Sequence, residues 1–280
     1  MITNQRKSVL ALALVLGAAL AVPAAWAQKP PQPKSQKEIT ALQAIQAAKT
    51  PDEQLKAIDN VLENFADTEY KMMLLQMGMQ IADSKGDYPL TVTYAERTLE
   101  ADPKNIFALS TLALQTVAHT REFDLDKDEK LAKAEKYANA SIADAKDAPK
   151  IRPDISDEQW NKVKADIVAQ SHDALGRIAL LRKKPDVAIT EFQTSVTTGA
   201  TPDATTLVRL GEAYLQAGKY DDAIASFDKA MAIADAPPQV KQVATARKAD
   251  AVRQKEKASG AKPATPPAAT PPPGQVEIKK

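Results

Sequence analysis

The sequence predicts an all-α chain organised as a row of stacked helical hairpins, and three observations carry that reading. Only 9 glycines and 13 aromatic residues (5 Phe, 6 Tyr, 2 Trp) stand among 280, while Ala, Leu, Lys and Gln, which enter helices at little cost, abound. Second, Thr206–Ala236 reads as two short amphipathic helices. Leu207, Leu210, Gly211 and Tyr214 share one face, Gly218 interrupts, and Tyr220, Ala223, Ile224, Phe227 and Ala230 share the next face. Third, such a pair cannot bury its apolar stripe alone, so related pairs must stack beside it. Counting back in steps of about 34 residues finds them.

The 206–236 segment resembles the tetratricopeptide repeat (TPR), with small residues Gly211 and Ala223 where two helices approach closely and Phe227 on the second helix. The resemblance implies a right-handed α-solenoid of about five hairpins ending in a capping helix. It also implies a protein that binds other proteins rather than one that catalyses.

The first unit spans 38–70. Ala41, Ala44, Ile45 and Ala48 line its first helix; Thr50 caps the second, with Pro51 in the first turn and Glu53 closing a capping box. Ala57, Ile58, Val61 and Phe65 supply the second helix's buried face. The unit at 71–105 carries Leu74, Met77, Gly78 and Ile81, a turn at Gly86, and the exit Asp102-Pro103-Lys104-Asn105, where proline stops one helix and a polar side chain caps the next. The third unit, 106–149, opens with Phe107, Leu109, Leu112 and Leu114. Its expected small residue arrives late, at Ala134, which marks 121–128 as an acidic insertion whose last aspartates cap the following helix.

Ser156 and Gln159 form a second capping box and open an unusually long helix through Trp160, Val163, Ile167, Ala174, Ile178 and Leu181. Leu175, Gly176 and Ala179 hold repeat positions in its second half, and Pro185, Ala188, Ile189 and Phe192 complete the unit 156–202. The clearest unit, 204–237, follows, then a capping helix over 238–259 with one docked and one wet face. Pro263, Pro266, Pro267 and Pro271–Pro273 make 260–280 a tail unable to build a core.

At the other end, Arg6 and Lys7, the apolar run Ser8–Val22 and Ala25-Trp26-Ala27 form a secretory signal with cleavage between Ala27 and Gln28. The run is shorter than the roughly 20 residues a spanning helix needs. The expectation is therefore an exported protein, periplasmic first and extracellular second, with an extended proline-bearing leader over 28–37. The absence of cysteine removes disulfides and thiol chemistry. Lys+Arg and Asp+Glu number 37 and 36, and losing Arg6 and Lys7 takes the net charge from +1 to −1, so no global field points to nucleic acid.

Ser171, His172 and Asp173 are neighbours, but adjacent helical residues point in different directions and do not form a relay. Asp124, Asp126, Asp128 and Glu135 have calcium-loop spacing, yet Glu129 stands where the sharp turn needs glycine. No metal, cofactor or catalytic residue is expected. Membrane contact is expected only through the basic last helix (Lys241, Arg247, Lys248, Arg253, Lys255, Lys257).

By the resemblance, first-helix residues line a concave groove, which places Gln46, Gln76, Ser110, Asp173, Arg177, Arg209 and Glu212 there. The Lys and Asn pattern of the carboxylate-clamp TPRs is absent. Arg177 and Arg209 match an acidic peptide; as a bare surface feature, Asp173 and Arg177 pair along one helix. The reading is a non-catalytic envelope scaffold that binds a partner peptide or helix. A self-associating structural component is the alternative, and an enzyme or solute-binding domain on the same frame the third option.

Overall fold

A computed structural model describes residues 31–151 and 154–260; the segment read as a secretory signal, the start of the expected leader (28–30) and the proline-rich residues 261–280 lie outside them. Among the described residues there are eleven helices and no strand: α1 (Gln36–Ala47), α2 (Pro51–Asn64), α3 (Lys71–Lys85), α4 (Tyr88–Ala101), α5 (Ile106–Ala118), α6 (Lys127–Ala145), α7 (Asp157–Leu181), α8 (Pro185–Thr198), α9 (Ala204–Gln216), α10 (Tyr220–Ala232) and α11 (Pro238–Ala258). They pack as five consecutive hairpins and one final helix.

Local chemistry starts the helices. Thr50 and Ser156 each accept a backbone N–H from the third helical residue, and Glu53 and Gln159 reach back to the cap. Asn105 accepts from Ala108 N and Asp203 from Thr205 N and Thr206 N, which satisfies otherwise orphaned donors. Asp126 departs from expectation. Its side chain makes no cap hydrogen bond and instead pairs with Lys130 at 2.9 Å, while Lys127 and Asp128 already belong to α6.

Packing joins the helices of a hairpin. A Cβ added to Gly78, Gly176 or Gly211 would sit 2.5 Å from the ring of Tyr94, Phe192 or Phe227 respectively. Each ring abuts the bare glycine backbone and stands sixteen residues along the chain. Three of the intervening turns are also alike. Gly86 and Gly218 adopt left-handed backbone at φ 71° and 69°, and the residue after each donates back to the carbonyl five positions earlier (Asp87 to Ala82, Lys219 to Tyr214). The α7–α8 turn makes the same bond from Lys184 to Ala179, but its left-handed residue is Lys183, at φ 58°.

Between hairpins, polar contacts recur about one repeat apart. Asp52, Asp186 and Asp221, the second residues of α2, α8 and α10, pair with Lys85, Lys219 and Lys255 of the next unit. α5 packs on α7, α7 on α9 and α9 on α11, whereas the even-numbered helices share no substantial contact. Odd helices therefore close together on the inner side of the C-terminal half, and even helices splay on the outer side.

The long first half of α7 ties neighbouring units together. Trp160 is buried, donates from Nε1 to Ala148 O at 3.1 Å and meets the Phe107 ring. Asp166 accepts from Ala200 N, Thr201 N and Thr201 Oγ1 at 2.7–2.9 Å, which pins the α8–α9 turn. At the N-terminal end, residues 31–35 are not helical, yet they are tied down: Tyr70 Oη donates to Pro31 O and Lys34 pairs with Asp67.

Candidate inner-face site

The seven groove residues expected from sequence sit on the odd helices, in very different surroundings. Gln46 on α1 is exposed and Gln76 on α3 half-buried. Ser110 on α5 is buried, and its Oγ has no hydrogen-bond partner among the described residues. A helical serine ordinarily donates to the carbonyl one turn back; that carbonyl, Ile106 O, accepts from Ser141 Oγ at 3.2 Å.

The remaining four cluster where α7, α9 and α11 adjoin. Asp173 is 5% exposed. Arg209 Nη1 donates to both its carboxylate oxygens at 2.9 Å, and Thr206 Oγ1 lies 3.1 Å away. Burial raises the Asp173 pKa against the pull of Arg209 and Arg177. Arg177 lies one turn further along α7, half-buried. Its side chain makes no hydrogen bond or ion pair among the described residues, so Asp173 pairs across to the next repeat rather than along its own helix. Burial first, and then the charge of Arg209, lowers the Arg177 pKa, with Asp173 opposing. Two guanidiniums thus share one carboxylate, and Arg209 holds it.

Glu212, one turn beyond Arg209, receives Arg247 Nε of α11 at 3.1 Å. Arg247 and Glu212 continue on α11 the helix-to-helix pairing that Arg209 and Asp173 begin. Lys248 and Lys255 pair with Asp228 and Asp221, and Arg253 with Asp250. Four of the six cations of α11 therefore pair with carboxylates within the chain, three of them with the last hairpin, and a fifth, Lys241, donates from Nζ to Ala234 O at 3.1 Å.

The neighbours Ser171 and His172 and the acidic groups of the insertion form no common site. Ser171 Oγ donates to Ile167 O, and His172 Nδ1 lies 2.8 Å from Glu191 Oε2. Neither pairs with Asp173. Asp124 and Asp126 both hold Lys130, and Glu135 holds Arg182. The second histidine of the chain, His119 at the C-cap of α5, stacks on Tyr88 with ring centroids 3.8 Å apart. No helix among the described residues is long and apolar enough to cross a membrane.

The tetratricopeptide-repeat family model matches residues 204–236, which is the α9–α10 hairpin, and the glycine-on-ring contact of that hairpin recurs in α3–α4 and α7–α8. Residues 204–236 are a tetratricopeptide repeat. A crystal structure of a thermophilic TPR protein from Thermus thermophilus superposes with a TM-score of 0.51 at 17% identity, covering 78% of this chain and 98% of that one. A structure of Acl4, an assembly chaperone of RpL4, gives 0.41 at 12% identity over 82% and 100%. One of MamA gives 0.35 at 17% identity over 70% and 99%. Comparison with curated protein sequences yields no match.

The inter-repeat ladder could have been found from sequence. Asp173 and Arg209, Glu212 and Arg247, and Asp186 and Lys219 stand 36, 35 and 33 residues apart, close to the repeat period. Thr206 carried no signal of its own, because a threonine in a first turn is also an ordinary cap neighbour.

Proposed function

We propose that this protein is a non-catalytic scaffold that receives an acidic segment of a partner protein on its inner face, at Arg177. One observation carries the reading. Arg177 is a half-buried guanidinium without a hydrogen bond or ion pair among the described residues, beside Arg209, whose charge Asp173 already meets. A half-buried charge that only shares a carboxylate is costly, and a second carboxylate offered in the plane of the guanidinium lowers that cost while forming two charge-assisted hydrogen bonds. Arg209 acts by fixing Asp173 rather than by touching the ligand. The affinity expected of a few such contacts on a preformed surface is micromolar, about −8 kcal/mol.

The test is a fluorescent oligoglutamate peptide titrated by anisotropy. Arg177→Ala should weaken it by about tenfold or more, since one hydrogen-bonded charge pair contributes roughly 1.5–3 kcal/mol. Added salt should weaken the wild type further. Equal affinity of wild type and variant would remove the site.

The proposal includes export to the periplasm. Support for it is the pattern of Arg6, Lys7, the apolar run to Val22 and Ala25-Trp26-Ala27. N-terminal sequencing of protein from cell fractions should read from Gln28 in the envelope fraction; an intact start in the cytoplasm overturns it.

A further inference from the structure

The connection between α5 and α6 carries two large apolar side chains without cover. Phe123 is 90% exposed and Leu125 fully so. Isolated exposed hydrophobics are ordinary, but these two sit on a loop that is held in place. Asp124 Oδ2 accepts Arg121 N at 3.0 Å and Lys130 Nζ at 3.1 Å, and Lys130 also holds Asp126. Glu122 pairs with Lys183 at 2.6 Å. Among the described residues Lys183 is the one non-glycine residue in left-handed backbone, at the turn position where Gly86 and Gly218 close the equivalent turns. A side chain there is strained relative to glycine, and this one reaches the insertion loop. An ion pair from that turn thus ties the loop carrying Phe123 and Leu125 to the start of α8.

The outer side of the same molecule offers a complementary surface. Because even helices splay, a groove of about 470 Å³ runs between α8 and α10. Leu207, Leu210 and Tyr214 of α9 are among its lining residues, as is Val196, itself 38% exposed. Lys229 lines the groove and makes no ion pair among the described residues; Asp222, also in the lining, lies near Lys219. On the loop side Asp128, at the start of α6, likewise makes no ion pair among the described residues. We propose that Phe123 and Leu125 of one copy dock into the α8–α10 groove of a second copy, with Asp128 approaching Lys229.

The loop cannot serve its own groove while the Glu122–Lys183 pair holds it beside the start of α8. The α8 groove residues, Thr190–Thr197, lie seven to fourteen positions further along, roughly 10–20 Å of helix. Knob and groove are different surfaces, so a single contact is heterologous, and its rotation decides between a closed assembly and open chains. Two anchoring side chains bury little area, which makes the association weak and concentration-dependent. This inference is independent of Arg177, which lies on the inner face.

The chain has no cysteine, so single cysteines report the contact cleanly. Purified Arg121→Cys and Thr197→Cys proteins, which keep Phe123 and Leu125, should form a mixed disulfide under mild oxidation at least about tenfold faster than Arg121→Cys with Gln46→Cys, as expected where an aromatic anchor sets the encounter. The sedimentation coefficient of the wild type should rise with concentration, and Phe123→Ser/Leu125→Ser should abolish that rise; both side chains are exposed, so the fold survives their loss. Lys183→Gly should melt no lower than wild type, because it relieves left-handed strain, yet self-associate less. Crosslinking no faster than the control pair, or a wild type that sediments as a monomer at every concentration, overturns the proposal. So does a Ser/Ser double variant that associates like the wild type.

Discussion

Ser110 and Asp173 occupy related places on successive inner helices and show what burial asks of a polar side chain. Asp173 is compensated by Arg209 and Thr206; the Ser110 hydroxyl is compensated by nothing among the described residues. An unsatisfied buried hydroxyl costs about 1–3 kcal/mol. Ser110→Ala should accordingly leave stability unchanged or raise it by about 1 kcal/mol, read from the midpoint of urea unfolding. A loss of more than that would mean that the hydroxyl has a partner after all. Sequence reasoning placed both residues on the inner face by repeat position. It did not separate the satisfied from the unsatisfied one, because satisfaction depends on residue 209, a full repeat away, and on whether Ile106 O is already occupied by Ser141.

At the scale of the hairpin, the decisive contact is an aromatic ring on a glycine. In Gly176 and Gly211 the Cα lies so close to Phe192 and Phe227 that an added methyl would stand 2.5 Å from ring carbons. Gly211→Ala should therefore destabilise by about 1–3 kcal/mol, the usual range for overpacking, although alanine is the better helix former. Gly211→Ala combined with Phe227→Leu should recover part of that loss. Thermal melts of the two variants decide it; an unchanged midpoint for the single substitution would show that the ring swings aside freely. These contacts were legible in the sequence, since Gly211, Ala223 and Phe227 stand at fixed offsets on recognisable helices. The capping boxes at Thr50 and Ser156 were legible for the same reason: cap and partner lie within one turn. The insertion was less so. Its carboxylates looked like caps, but Asp124 and Asp126 bind Lys130, and nothing local reveals that Lys183 reaches Glu122 from another hairpin.

Across the whole array, each hairpin is covered only by its neighbours, so stability propagates along one dimension. α11 covers the last hairpin. Ala244 and Ala251 join Ala204, Leu207, Val208 and Phe227 in one buried cluster, while Arg247, Lys248 and Lys255 bridge to Glu212, Asp228 and Asp221. These ion pairs are partly exposed and contribute tenths of a kcal/mol to about 1 kcal/mol each, so the apolar cover is the larger effect. A chain ending at Pro237 should keep α3 to α6 folded and lose protection at its new end. Amide hydrogen exchange is the measurement: protection factors of α9 and α10 should fall by about tenfold or more, as local opening becomes easier, while those of α3 and α4 stay unchanged. A uniform loss along the chain would show a single cooperative block, and the nearest-neighbour picture would fail. Keeping the charges without the apolar cover separates the two contributions. A variant that keeps α11 but carries Ala244→Asp and Ala251→Asp retains every cation of the ladder and loses the apolar seal, and its α9–α10 amides should exchange much as those of the truncated chain do.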